Sequence, residues 1–218
     1  MKRLFSKYEW VLLLIAISPL FLTGWYWEQI PTTIPTHYNT WGTADAWAGK
    51  QMLLWFVPTI IFGLYALLLL VPIIDPKQRI AGMGRKYFAI RAIVTSLITA
   101  IMALWVYSIA NEVAHFMSLL FPTLAIFLVV LGIYLQAIKP NYFLGIRTPW
   151  ALNDEQNWLL THRFGGRVYI IGGITLFIAS MLGLHQGLSV LFFASLIAIL
   201  TVPYIYSYYY YVNSKKHS

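Results

Sequence analysis

The chain has 218 residues, 60% of them hydrophobic and only 10% charged, with a formal net charge of +8. A soluble domain carries about 25% charged residues, so composition places the chain in the membrane class. Cysteine is absent, which excludes a disulfide framework and thiol chemistry and leaves the redox compartment unreadable.

Six apolar runs, near 10–27, 52–74, 92–110, 116–138, 168–184 and 187–212, contain no Asp, Glu, Lys or Arg. Each approaches the roughly 20 residues that a helix needs to cross the hydrocarbon core. Lipid offers no hydrogen bonds to an open backbone, so each run must be helical. The predicted fold is all-α, a bundle of six transmembrane helices.

The first run follows Lys2, Arg3 and Lys7, a basic start shared with signal peptides. It exceeds the usual h-region of about 7–15 residues, and Trp25, Tyr26 and Trp27 stand where small residues would be needed. It reads as a retained span. An outer loop follows, 28–51, with turns marked by Pro31, Pro35 and Gly42. Trp41 and Trp47 can dip into the outer interface, and Asp45 can pair with Lys50. His37 invites a zinc reading together with Glu112, His115 and His185. Those groups come from three separate loops without a spacing signature, so a metal site is not favoured.

Span 2 closes a two-span hairpin, 1–74, which a basic connection, 75–91, joins to a four-span region, 92–218. Prolines 19, 58, 72, 122 and 203 interrupt the spans, and each removes a backbone donor. An inner loop, 139–167, separates spans 4 and 5. Asn153 with Gln156 three residues later reads as a capping box. Asp154 and Glu155 then suit the first helical turn, Arg163 suits the last, and Gly165 with Gly166 stops the helix. A short interfacial helix is predicted, with Trp158, Leu159 and Phe164 toward lipid and His162 and Arg163 on its polar face. Thr148-Pro149 is an alternative start, with proline at the first position. Arg147 reads as an anion or partner contact, as a hub for loop carbonyls, or as a snorkelling arginine on lipid phosphate. In span 5, Gly172, Gly173, Ser180 and Gly183 permit close helix packing. The final run holds Tyr204, Tyr206 and Tyr208–Tyr211, an aromatic belt rather than a ligand platform.

Fourteen of the 15 Lys and Arg residues fall in the N-terminus, the connection 75–91, the loop 139–167 and the C-terminus; only Lys50 falls on the other side. This asymmetry predicts cytoplasmic termini and even parity. It also accounts for the net charge by topology and by contact with anionic lipid, so no nucleic-acid partner is inferred. The spans show no charge of the kind that relays protons or binds coupling ions. No catalytic motif and no cofactor signature is present.

The two loops carry a resemblance. Asn141, Gly145, Arg147, Thr148, Pro149 and Trp150, followed by Trp158, Thr161, His162 and Arg163, resemble the signature of the SdpI immunity protein family. Pro35, His37, Asn39, Gly42, Asp45, Trp47 and Lys50 resemble the uncharacterised domain that often precedes it. The two patterns together bracket nearly the whole chain. The resemblance implies a bacterial plasma-membrane protein with several spans that is not an enzyme. It also implies immunity against a secreted membrane-active peptide toxin outside, and possible signalling by recruitment of a cytosolic transcriptional repressor inside. On that reading the inner motif is a platform. Two other classes stay open: a transporter or flippase-like protein for lipid or peptide, with a polar cavity of Ser96, Thr99, Thr123, Gln136 and Thr175, and a membrane enzyme using His37, Glu112 and His115.

Overall fold

The computed structural model describes residues 8–39, 41–76, 78, 80–111, 116–184 and 189–216. The chain is mostly helical: α1 (Glu9–Trp25), α2 (Met52–Ile74), α3 (Arg85–Ala110), α4 (Phe116–Leu135), α5 (Pro149–Asn153), α6 (Glu155–Met181) and α7 (Ser189–Lys216). Helices α2, α3, α4, α6 and α7 are long and apolar enough to cross a membrane, while α1 is a shorter apolar helix of 17 residues. They are apolar around most of their circumference, as helices facing both protein and lipid must be.

The outer loop corrects the all-α expectation. It folds into an antiparallel hairpin of β1 (Thr33–Tyr38) and β2 (Ala44–Gly49). Outside the helices, pairing two extended segments is the economical way to satisfy backbone groups. Ile34 is fully buried beneath the hairpin, and Tyr38 packs on Phe116 with ring centroids 5.4 Å apart.

Two cores organise the helices. One gathers Ala16, Ile30, Ile34, Leu53, Val57, Ile61, Trp105 and Val106 from α1, α2, α3 and the hairpin. The other gathers Phe121, Leu128, Leu135, Ile146, Trp158, Tyr169 and Phe192 from α4, α6, α7 and the intervening loop. The closest pairing is α4 with α6. A Cβ on Gly166 would stand 2.6 Å from the Gly132 carbonyl oxygen, and one on Gly173 would stand 2.8 Å from that of Ala125. Gly173 is thus a packing site, as is Gly172, where a Cβ would stand 2.6 Å from Ile199, both in line with expectation; Gly183, with nothing within 4 Å, is not.

Gly165 and Gly166 do not stop a helix. They lie inside the 27-residue α6, which runs without a break from Glu155 to Met181. Glycine costs a helix interior only about 1 kcal/mol, and here its lack of a side chain permits close approach: a Cβ on Gly165 would stand 2.8 Å from Ile146. The actual stop is Gly183, in the left-handed region at φ +71°, with its N–H bonded to the Ser180 carbonyl. The cap of α6 is Asp154, whose Oδ1 accepts from the Gln156 N–H at 2.8 Å, rather than Asn153. The alternative start at Thr148-Pro149 does exist, as the five-residue α5 with Thr148 at its cap.

Charge placement needs a further correction. Arg91 lies within α3, not in a loop, and pairs with Glu9 of α1 through Nη2, 2.6 and 2.8 Å from the two carboxylate oxygens. Glu9 and Arg91 are 3% and 2% exposed. The Tyr65 hydroxyl of α2 donates to the same carboxylate. One buried ion pair therefore ties α1, α2 and α3 together.

Candidate functional site

The loop between α4 and α6 is built from its own polar groups. Asn141 is buried and spends its whole amide locally. Its Oδ1 accepts from the N–H groups of Phe143 (2.9 Å) and Leu144 (2.7 Å), and its Nδ2 donates to the carbonyls of Lys139 (2.8 Å) and Leu144 (3.3 Å). The chain then turns at Gly145, φ +90°. A Cβ there would collide with His162 Nε2, so both backbone and space demand glycine.

His162 locks the next residue. Its Nε2 accepts from the Ile146 N–H at 3.1 Å, and its Nδ1 lies 2.8 Å from the Trp158 carbonyl. An acceptor nitrogen carries no proton, so this geometry requires the neutral ring protonated on Nδ1. The ring stacks on Trp158 at 4.0 Å, and the Trp158 indole donates to the Ile138 carbonyl at 2.8 Å. Trp158 and His162 are 2% and 1% exposed. The sequence placed Trp158 toward lipid and His162 on a polar face; both instead point into the protein. Their spacing of four residues puts them on one helical face, and the loop covers that face. Leu159 is exposed as expected, and Phe164 stacks on Tyr206 at 4.3 Å.

A second network joins α5, α6 and α7. Thr148 Oγ1 accepts from the Ala151 N–H and donates to Ser207 Oγ at 2.8 Å; Ser207 in turn donates to Asn157 Oδ1 at 2.8 Å. Thr161 donates to the same oxygen at 2.9 Å, and Asn157 Nδ2 returns to the Ser207 carbonyl at 3.1 Å. Asn157 and Ser207 are the residues that reading the sequence missed. The Asn157–Thr161 spacing, parallel to Trp158–His162, was the available signal. Ser207 sits within the tyrosine run and gave none.

What remains at the surface is predominantly basic, with Glu155 as an exposed acidic group. Lys139, Arg147, Arg163 and Arg167 are exposed. Arg147 donates to the Tyr142 carbonyl at 2.6 Å and keeps further donors outward. Trp150 leans on Tyr208 and Tyr211, with centroids 5.2 and 5.7 Å away. Part of the tyrosine belt thus serves as a seat for the loop.

The outer motif occupies the other end of the bundle. Asn39 Oδ1 accepts from the Trp41 and Thr43 N–H groups (2.9 and 3.1 Å), and Gly42 turns at φ +80°. Asp45 pairs with His37 at 2.5 Å and not with Lys50. Lys50 instead closes on the Trp27 and Ile30 carbonyls (2.9 and 3.3 Å) and lies over the Trp27 ring. The Pro35 carbonyl accepts from the Trp105 indole at 3.2 Å, and Trp47 is exposed. Among the described residues no three His, Asp or Glu side chains gather as a metal site. Glu112, His115 and His185, invoked for zinc or for catalysis, lie outside the described residues. Of the five groups proposed to line a polar cavity, Thr123 and Thr175 close onto carbonyls of their own helices, and Gln136 is exposed.

Comparison with known proteins follows the same two loops. Residues 137–207 match the SdpI/YfhL protein family, and residues 14–62 match a domain of unknown function, DUF1648. The resemblance drawn at the loops is thereby borne out, with α3 and α4 lying between the two matches. The chain is 33% identical over 88 residues to the immunity protein SdpI of Bacillus subtilis (strain 168), a stretch that covers 39% of this chain and 41% of that relative. No solved structure matches the chain. With several apolar helices and this likeness, the chain is a multi-pass membrane protein.

Proposed function

We propose that the protein confers immunity to a membrane-active peptide, acting by binding rather than by catalysis. In this reading α1 joins the five longer helices as a sixth span, both termini face the cytoplasm, and the hairpin 33–49 faces the exterior. Residues 1–74, 75–91 and 92–218 then act as an outward-facing hairpin unit, a basic connection and a platform-bearing unit. The loop 139–153 with the start of α6 presents a fixed basic surface to a cytosolic partner such as a transcriptional repressor.

The observation that carries this reading is the division of labour inside the motif. Asn141, Gly145, Thr148, Trp158, Thr161 and His162 are spent on holding the loop rigid, while Arg147 is anchored on one carbonyl and otherwise exposed. A rigid frame with a displayed guanidinium suits recognition, because ordering cost is already met in the free state.

The test is survival of a toxin-sensitive host that expresses the chain and is challenged with the secretions of a killing strain. Arg147→Ala is expected to lose protection or signalling at unchanged membrane levels. Full protection by that variant would remove the platform role, and failure of the unaltered chain to protect would remove immunity itself.

A further inference from the structure

A cavity of about 450 Å³ opens where α5, the start of α6 and the end of α7 meet, lined by Trp150, Asn153, Asp154, Tyr211, Ser214 and Lys215. Its size falls in the range of roughly 300–1,000 Å³ typical of small-ligand sites. We propose that it binds the headgroup of a zwitterionic phospholipid that carries a primary ammonium, of the phosphatidylethanolamine type. The proposal is independent of the immunity reading.

Four observations converge. The lining offers one carboxylate and one ammonium, a pair that suits a ligand bearing both signs. Asp154 spends Oδ1 on the cap of α6, and a carboxylate retains acceptor capacity beyond a single bond. Lys215 is held over the Tyr211 ring, its Nζ 4.7 Å from the centroid, which orients its charge at the cavity. The Trp150 indole N–H is buried and meets no acceptor in the protein, a cost of about 1–3 kcal/mol that a ligand oxygen would relieve.

A further observation favours a lipid over a soluble zwitterion. Tyr208, which packs on Trp150, is followed down α7 by Ile205 and Val202, all exposed. Spacings of three residues place them on one face, an apolar strip that an acyl chain can follow from the cavity toward the hydrocarbon. The phosphodiester would meet Lys215 and the Trp150 N–H, and the ammonium would meet Asp154. A choline headgroup lacks N–H donors for the carboxylate, and a glycerol headgroup lacks the cation.

Native mass spectrometry of the detergent-solubilised full chain tests this directly. Phosphatidylethanolamine, phosphatidylcholine and phosphatidylglycerol with identical acyl chains would be titrated in parallel. At least several-fold greater retention of the ethanolamine lipid is expected, with displacement by soluble glycerophosphoethanolamine. Asp154→Asn keeps a good helix cap while deleting the charge, and Trp150→Phe keeps the ring while deleting the donor. Each is expected to cut retention several-fold with an unchanged melting temperature. Equal retention of the three lipids would mark ordinary annular lipid and overturn the proposal, as would wild-type retention by both variants. A failure of glycerophosphoethanolamine to compete would overturn the headgroup assignment.

Discussion

Replacing Gly145 by alanine tests the frame of the inner loop at its tightest point. Two costs are legible in the geometry. At φ +90° a non-glycine residue sits in left-handed backbone, which costs roughly 1–2 kcal/mol. The added methyl also collides with His162 Nε2, the acceptor for the buried Ile146 N–H. If the ring moves, that N–H is orphaned at about 1–3 kcal/mol. The sum predicts a loss of roughly 2–5 kcal/mol. Gly84→Ala gives a comparison without a collision: nothing lies within 4 Å of its would-be Cβ, and at φ +53° and ψ −119° its cost is the backbone strain of that turn. Reversible unfolding in mixed micelles would measure both variants. A third variant, Gly145→Ala in a His162→Ala background, removes the collision, and the double-mutant cycle should return a coupling of about 1–3 kcal/mol. If Gly145→Ala loses less than about 1 kcal/mol, or the cycle shows no coupling, the contact between turn and imidazole does not hold the loop.

Three further outcomes are expected. Asn157→Leu removes the buried acceptor that the hydroxyls of Thr161 and Ser207 share; a loss of about 1–3 kcal/mol in the same unfolding assay checks it, and Ser207→Ala should be non-additive with it. Arg91→Ala takes the buried guanidinium from the Glu9 carboxylate, at about 3–5 kcal/mol, whereas an apolar replacement of the whole pair should recover most of the loss. Asp45→Asn at the exposed His37 pair should cost less than about 1 kcal/mol, and any thermal melting shift should shrink further as salt is raised.

The expectations that failed overlooked the packing partners that tertiary structure supplies. Hydropathy reports what tolerates lipid, and a face that tolerates lipid can equally well face protein. Trp158 is therefore compatible with lipid by composition, yet it is buried under its own loop. Gly165 and Gly166 look like a stop, because glycine ends helices when nothing packs there; with Ile146 and Gly132 pressed against them, they continue one. Glu9 and Arg91 lie 82 residues apart, and no local pattern announces such a pair. The expectations that held were local ones. Thr148-Pro149 opens a helix because the cap and the fixed proline φ act within a single turn. Gly42 turns because its φ requires it. The apolar runs are helices because the backbone must satisfy itself.

From the order of its residues alone, this chain could be assigned to lipid, with its apolar runs helical and two of its loops marked as specified structure. Those properties follow from single-residue transfer energies and from backbone hydrogen bonding, both short in range. Which polar side chains frame the inner loop and which are displayed was decided by tertiary structure. Asn157 meets Ser207, and Gly145 meets His162, only after α4, α6 and α7 have packed. A buried hydrogen bond takes its meaning from a partner that chain order does not supply.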